Sequence, residues 1–178
     1  MITRRDDGYE IDTSTERLDV PRLHQWLSTD AYWALGRTAE VVAKSIAESV
    51  CFGVYDPAGD QVGFCRAVTD GATFGWLCDV YVARDQRGKG LGTWLAQVAH
   101  DHLLERGINR LVLATADAHE IYAKVGFVPL LRPERWMEVD LRARSDPGDV
   151  AHQPRHVLNL PHNPGSEPLE LRDAAHNW

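Results

Sequence analysis

Apolar and polar positions change their period several times along this chain, and each change marks an element. Tyr9–Asp12 reads as a short strand. Asp19 followed by Pro21 signals a helix start, and Leu23, Trp26 and Leu27 recur on one side of the helix it opens. A second helix is predicted after Thr38, with Val42, Ile46 and Val41 turned inward. The period then falls to two. Val50–Tyr55 and Gln61–Thr69 flank Asp-Pro-Ala-Gly-Asp, which predicts a hairpin. Ala72–Val82 continues as the next strand and runs into a glycine-rich turn. A helix over 92–106 stops at Gly107, and an apolar strand follows over 111–114. Asp117 and Glu120 form a capping-box-like start for a helix from Ala118 to Val125. Phe127–Leu130 and Trp136–Leu141 are expected as closing strands. Strands outnumber helices and hairpins lead, so the class is α+β, with a mixed, mostly antiparallel sheet flanked by helices.

The chemistry concentrates where strand meets helix. Residues 80–92 read Val-Tyr-Val-Ala-Arg-Asp-Gln-Arg-Gly-Lys-Gly-Leu-Gly. Gly88, Gly90 and Gly92 expose successive backbone N–H groups with no Cβ in the way. The helix that follows adds its own unpaired N–H groups and a partial positive charge. The combination is an anion cradle, most naturally for phosphate. Three glycine-rich loops compete for it. A P-loop needs a Ser or Thr after its lysine, and Lys89 is followed by Gly90. The dinucleotide fingerprint needs Gly-x-Gly-x-x-Gly, which this spacing does not supply. The third pattern, Gln/Arg-x-x-Gly-x-Gly/Ala, is met by Arg87, Gly90 and Gly92. A solvated Gly/Lys turn is the competing explanation.

With that third pattern the chain resembles the GNAT acetyltransferases. A second motif supports the resemblance: residues 117–127, Asp-Ala-His-Glu-Ile-Tyr-Ala-Lys-Val-Gly-Phe, are similar to the family's later helix and turn. The two motifs stand in the family's order and spacing, and the resemblance covers about residues 9–141. It implies a GNAT fold splayed between its two central strands. It also implies acetyl-CoA as co-substrate, with no metal. The turn from Arg87 through Gly88, Lys89, Gly90, Leu91 and Gly92 to Thr93 would hold the pyrophosphate. The main chain of Val80 and Val82 would pair with the pantetheine arm like an added strand, and an amide there would face the thioester oxygen. Tyr122 is the implied general acid for the leaving thiolate, against an alternative as a core aromatic. One departure stands out: many relatives carry Asn seven residues before this tyrosine, and here the residue is Thr115.

Asp79 is the candidate base or substrate anchor, because a carboxylate inside Trp-Leu-Cys-Asp-Val-Tyr-Val needs a partner or a function. A structural hydrogen-bonding role is the alternative; His119 and Asp117 are weaker candidates. The acceptor site is expected around the first two helices, lined by Tyr32, Trp33, Trp76 and Tyr81, with core packing as the competing account.

Composition narrows the rest. A chain of 178 residues suits one domain, 1–143, plus an appendage, 144–178. That last stretch holds five of the nine prolines and half of the histidines, a composition that rarely packs a core. A disordered tail is the default expectation. The alternative is an arm pinned on its own or another subunit through Val157, Leu158, Leu160, Leu169 and Leu171, which would make a homodimer. Cys51, Cys65 and Cys78 lie in strand-like segments, so buried thiols in a reducing cytoplasm are expected rather than disulfides. No Cys/His spacing matches a zinc site. No apolar run approaches the roughly 20 residues of a membrane span, and no signal peptide is read at the start. The net charge of −7 argues against nonspecific nucleic-acid binding. The expected activity is therefore N-acetylation of a primary amine, more readily of a small molecule than of a protein. A non-catalytic acyl-CoA sensor or scaffold is the reading from another class.

Overall fold

The computed structural model describes residues 1–140. Among the described residues, every strand and α-helix lies within Met1–Pro133, which forms one unit; a second begins at Glu134. Six strands form one sheet in sequence order: β1 (Ile2–Arg4), β2 (Glu10–Asp12), β3 (Val50–Tyr55), β4 (Gln61–Thr69), β5 (Gly75–Val82) and β6 (Leu111–Val112). All neighbours are antiparallel except β5 and β6, which are parallel. The helices are α1 (Val20–Thr29), α2 (Ala39–Ala47), α3 (Leu91–Glu105) and α4 (His119–Ala123).

Local chemistry sets the boundaries. The Asp19 side chain accepts from the Arg22 N–H at 3.0 Å and starts α1 ahead of Pro21. Thr38 caps α2 by accepting from the Val41 N–H at 3.3 Å. The β3–β4 hairpin closes around Asp56, whose Oδ1 accepts from the N–H groups of Ala58 and Asp60. Alternation along the strands divides the core. On one face Phe52, Val54, Cys65 and Leu77 pack with Leu91, Leu95 and Ala99 of α3. On the other Cys51, Phe64 and Tyr81 pack with Leu23 and Leu27 of α1 and Val42 and Ile46 of α2.

Five expectations need correction. Val41 is exposed, because one residue rotates it about 100° away from buried Val42. β5 starts at Gly75 rather than Ala72: Asp70 Oδ1 accepts from the N–H groups of Ala72, Thr73 and Phe74, which uses up the donors a strand would need. The helix near Tyr122 is not capped by Asp117. The Thr115 hydroxyl accepts from the Ala118 N–H at 3.0 Å instead. No strand follows Val112 among the described residues. Phe127 packs on the core, but Val128 and Leu131 are exposed, and Pro129 has no N–H to pair. The apolar strand at 111–114 shortens to two residues. The short edge strand β1 carries too few residues for a periodic signal. The tail expected from 144 lies outside the described residues.

Candidate active site

The cradle is built by the backbone. After β5 the chain makes a 3-10 turn at Arg84–Gln86 and enters α3 through Gly88 (φ 82°) and Gly90 (φ 75°). Gly90 occupies the N-cap in the left-handed region, where a side chain is strained. It supplies no side-chain cap, and the first intrahelical bond runs from the Trp94 N–H to the Gly90 carbonyl at 3.1 Å. The amides of Leu91, Gly92 and Thr93 therefore have no helical carbonyl to meet, at the positive end of a 15-residue helix. A Cβ built on Gly88 meets nothing within 4 Å, so the loop is open on that side.

The two basic side chains of the turn face elsewhere. Lys89 Nζ donates to Gln86 Oε1 (2.6 Å) and to the Tyr9 hydroxyl (3.0 Å). Arg5, on the turn between β1 and β2, donates to the Lys89 carbonyl at 3.2 Å and braces the loop from outside. Arg87 Nε donates to the Val82 carbonyl at 3.0 Å, and its guanidinium lies over the Tyr81 ring. Asp30, at the C-terminal end of α1, takes ion pairs from Arg84 and Arg87 and a hydrogen bond from the Tyr81 hydroxyl. None of Arg5, Tyr9, Gln86, Asp30 and Arg84 carries a motif that sequence reading detects.

Next to the cradle the sheet opens. β5 and β6 pair only at Gly75 with Leu111 and Trp76 with Val112. The contact is close there: a Cβ on Gly75 would stand 2.6 Å from Leu111 Cδ2. Beyond Trp76 the outer edge of β5 has no strand beside it among the described residues. The Ala83 N–H donates to the Val62 carbonyl, and Val82 is opposite Gly63. Hydrogen-bonded and non-bonded pairs alternate in such a ladder, so Val82 directs its N–H and carbonyl away from β4, toward the open edge. The Arg87 contact to that carbonyl fits this direction.

A bulge interrupts β5 before that edge. Phe64 pairs with Tyr81 and Arg66 with Cys78, leaving Asp79 and Val80 opposite the single residue Cys65. Asp79 has φ 52°, the one positive φ outside glycine among the described residues. Its side chain is 2% exposed and fully engaged. Oδ2 accepts from Arg37 Nη1 and Arg66 Nε, both at 2.6 Å, and Oδ1 accepts from Trp33 Nε1 at 3.2 Å. Burial alone would raise the Asp79 carboxyl; the Arg37 hydrogen bond and the Arg66 charge outweigh it and leave it below the usual carboxylate range.

Tyr122 stands on α4 and packs against the α3 side of the core; its hydroxyl has no hydrogen-bond partner among the described residues. Burial pushes it up to about 12, with Cys65, Tyr32 and Asp117 as its electrostatic neighbours. The Tyr32 hydroxyl donates to Asp117 Oδ1 (3.4 Å) and accepts from the Ala116 N–H (3.3 Å). The Tyr32 and Trp33 rings meet edge to face at 4.9 Å. Asp79, Trp33, Tyr32 and Asp117 thus form a continuous chain of contacts toward Tyr122. Trp76 is not part of it: it lies at the paired end of β5, opposite Val68, with no ring contact to Tyr32 or Trp33. Tyr81 is not available to an acceptor either. Its ring is buried and stacked on Trp26 at 5.1 Å, and its hydroxyl is held by Asp30.

The chain is similar to known proteins in sequence and fold. Residues 20–127 match the model of the Acetyltransferase (GNAT) family. A candidate acetyltransferase of Gibberella zeae is 31% identical over 137 residues, covering 65% of this chain and 76% of its own. The crystal structure of a candidate GNAT acetyltransferase from Xanthomonas campestris is 38% identical with a TM-score of 0.70, over 75% of this chain and 93% of that one. A candidate acetyltransferase from Deinococcus radiodurans shares the fold, with 22% identity and a TM-score of 0.57, over 80% of this chain and 94% of that one.

Proposed function

The chain belongs to the GNAT acetyltransferase family, and on that premise we propose that it moves the acetyl group of acetyl-CoA onto a primary amine of a small molecule. The observation that carries the reading is one juxtaposition. An uncapped helix N-terminus lies in line with an unpaired strand edge, and Tyr122 is on the helix that follows β6.

Acetyl-CoA supplies an acyl group activated as a thioester. The amides from Arg87 to Thr93 hold its pyrophosphate, and Gly88 and Gly90 permit the close approach. The open edge at Val80 and Val82 aligns the pantetheine arm by main-chain hydrogen bonding. The Val82 N–H is aimed at the edge where negative charge develops on the carbonyl oxygen and stabilises it there. Tyr122, protonated at neutral pH as a phenol at about 10 already is and lifted further, to about 12, by burial, gives its proton to the departing sulfur.

Asp79 takes a different role from the base considered above. A carboxylate already accepting from two arginines and an indole, and more acidic than usual, has little capacity for a proton. It anchors the loop between α1 and α2 to the bulge. Asp117, exposed and bonded to Tyr32, is the carboxylate near Tyr122 that can hold the acceptor's ammonium before its proton leaves to water.

The test is release of coenzyme A thiol from acetyl-CoA by the purified protein, with a panel of amines. Acceleration by one class of amine, with formation of the N-acetyl product, supports the reading. Tight acetyl-CoA binding with no amine-stimulated release overturns it in favour of a sensor.

A further inference from the structure

The charges around Asp79 do not balance. Two guanidiniums converge on one carboxylate, and both use the same oxygen, Oδ2. Arg66 directs a further donor to the Ser49 hydroxyl at 3.1 Å. Arg37 makes one side-chain hydrogen bond, to Asp79, although a guanidinium has five N–H donors. Its side chain is 20% exposed, and no nitrogen of it is sealed from solvent without a partner. A mostly buried cation is thus held by one side-chain contact among the described residues, and its remaining donors keep access to solvent. Cys78, the partner of Arg66 across the ladder, is half-buried and held neutral by burial, so it adds no negative charge.

The position of this surplus is informative. Trp33 touches Asp79 at one end and Tyr32 at the other, and Tyr32 reaches Asp117. The exposed rings of Tyr32 (52%) and Trp33 (39%) therefore lie between a spare positive group, Arg37, and an exposed negative one, Asp117. Cationic and anionic ends separated by an aromatic surface complement a molecule with the opposite arrangement.

We propose that the acetyl acceptor is an amino acid-type molecule, its amine directed to Asp117 and Tyr122 and its carboxylate bound by Arg37. The inference deepens the acetyltransferase reading and rests on it for the chemistry, but the binding site itself does not require turnover. Arg37 suits a carboxylate because its planar fork can present two parallel N–H groups to two oxygens. A charged hydrogen-bonded contact of this kind changes affinity about ten- to hundredfold.

The experiment compares amino acids of increasing amine–carboxylate separation, from glycine to 6-aminohexanoate, each against the same amine lacking the carboxylate. Two readouts run in parallel on wild type and Arg37→Gln: thiol release from acetyl-CoA, and calorimetric binding of each acceptor to the coenzyme A-loaded protein. Carboxylate-bearing acceptors are expected to bind and react at least about tenfold better in wild type, and Arg37→Gln should bring that ratio to near one. Affinity for coenzyme A, measured in the same variant, should not move; that separates acceptor recognition from a general loss of structure. Equal performance of the amines without carboxylate overturns the inference, as does a preference that survives Arg37→Gln. Carboxylate-dependent binding without thiol release would refute acetyl transfer while sustaining the acceptor site.

Discussion

Replacing Asp79 with Asn tests whether this residue is an anchor or a base. The substitution preserves shape and left-handed tolerance, since Asn and Asp both visit that region at low cost. What it removes is the one negative charge under Arg37 and Arg66, each 2.6 Å from Oδ2. Deleting one member of a buried pair costs about 3–5 kcal/mol. The two arginine side chains keep 20% and 14% of their surface, so water recovers part of the loss, and roughly 2–4 kcal/mol is expected. For a unit of this size that lowers the unfolding midpoint by about 8–14 °C. Urea and thermal unfolding at pH 7.5, followed by tryptophan fluorescence, measure it directly. The pH dependence has a fixed sign. A carboxyl whose folded value lies below its unfolded one contributes stability above the unfolded value, near about 4, and loses it as pH falls through the folded value. The gap between wild type and Asp79→Asn should therefore narrow on acidification below about pH 4. Stabilities equal within about 1 kcal/mol at pH 7.5, or a gap that does not narrow, refute the anchor. A collapse of turnover with unchanged unfolding would restore Asp79 as base.

Tyr122→Phe should lower kcat about a hundredfold or more while leaving the affinity for acetyl-CoA nearly intact; unchanged kcat removes the tyrosine from the mechanism. Gly90→Val, forced into φ 75°, should weaken coenzyme A binding severely in calorimetry. Lys89→Ala should be mild, because that side chain faces Gln86 and Tyr9, and Gly92→Ala close to neutral, because a Cβ there meets only Val82 Cγ2 at 3.9 Å. Equal losses in all three would mean the backbone is not what binds. Burial lifts the Cys78 and Cys51 thiols to about 11, so at pH 8 about one in a thousand is thiolate. The native protein should resist thiol-labelling reagents that react at once after denaturation, and rapid labelling of the folded protein would contradict that burial.

Legibility in the sequence followed the range of the interactions. The β3–β4 hairpin, both helix caps on Asp19 and Thr38, and the glycine spacing of the cradle are decided within a few residues. They stood where local chemistry placed them. The bulge at Asp79 was not legible. Its register shift depends on which residues of β4 lie opposite, and the sequence around it reads as an ordinary strand. Contacts across long separations were equally hidden: Arg84 to Asp30 and Arg5 to Lys89 join segments 54 and 84 residues apart. These contacts decide where the basic side chains of the turn point, and nothing within the turn itself reveals them. Asp117 misled for a related reason. Its spacing to Glu120 imitates a cap, but the Thr115 hydroxyl takes the Ala118 N–H and Tyr32 competes for the carboxylate.

The two-residue pairing of β5 with β6 has a consequence for the lifetime of the protein. Among the described residues the strand pairing ends at Trp76, so this seam is where local opening is expected to begin. On the proposed placement of the donor, bound acetyl-CoA would fill the seam and stabilise the closed state; at a hundredfold excess over its dissociation constant the gain is about 2.7 kcal/mol. Cleavage by proteases that act on the opened form would slow roughly a hundredfold. Limited proteolysis with and without coenzyme A measures this, and equal rates would mean that opening begins elsewhere. With the donor seated there, the protein would persist longer while the donor is abundant and be cleared faster when it is scarce, which would tie its amount to the supply of the proposed co-substrate.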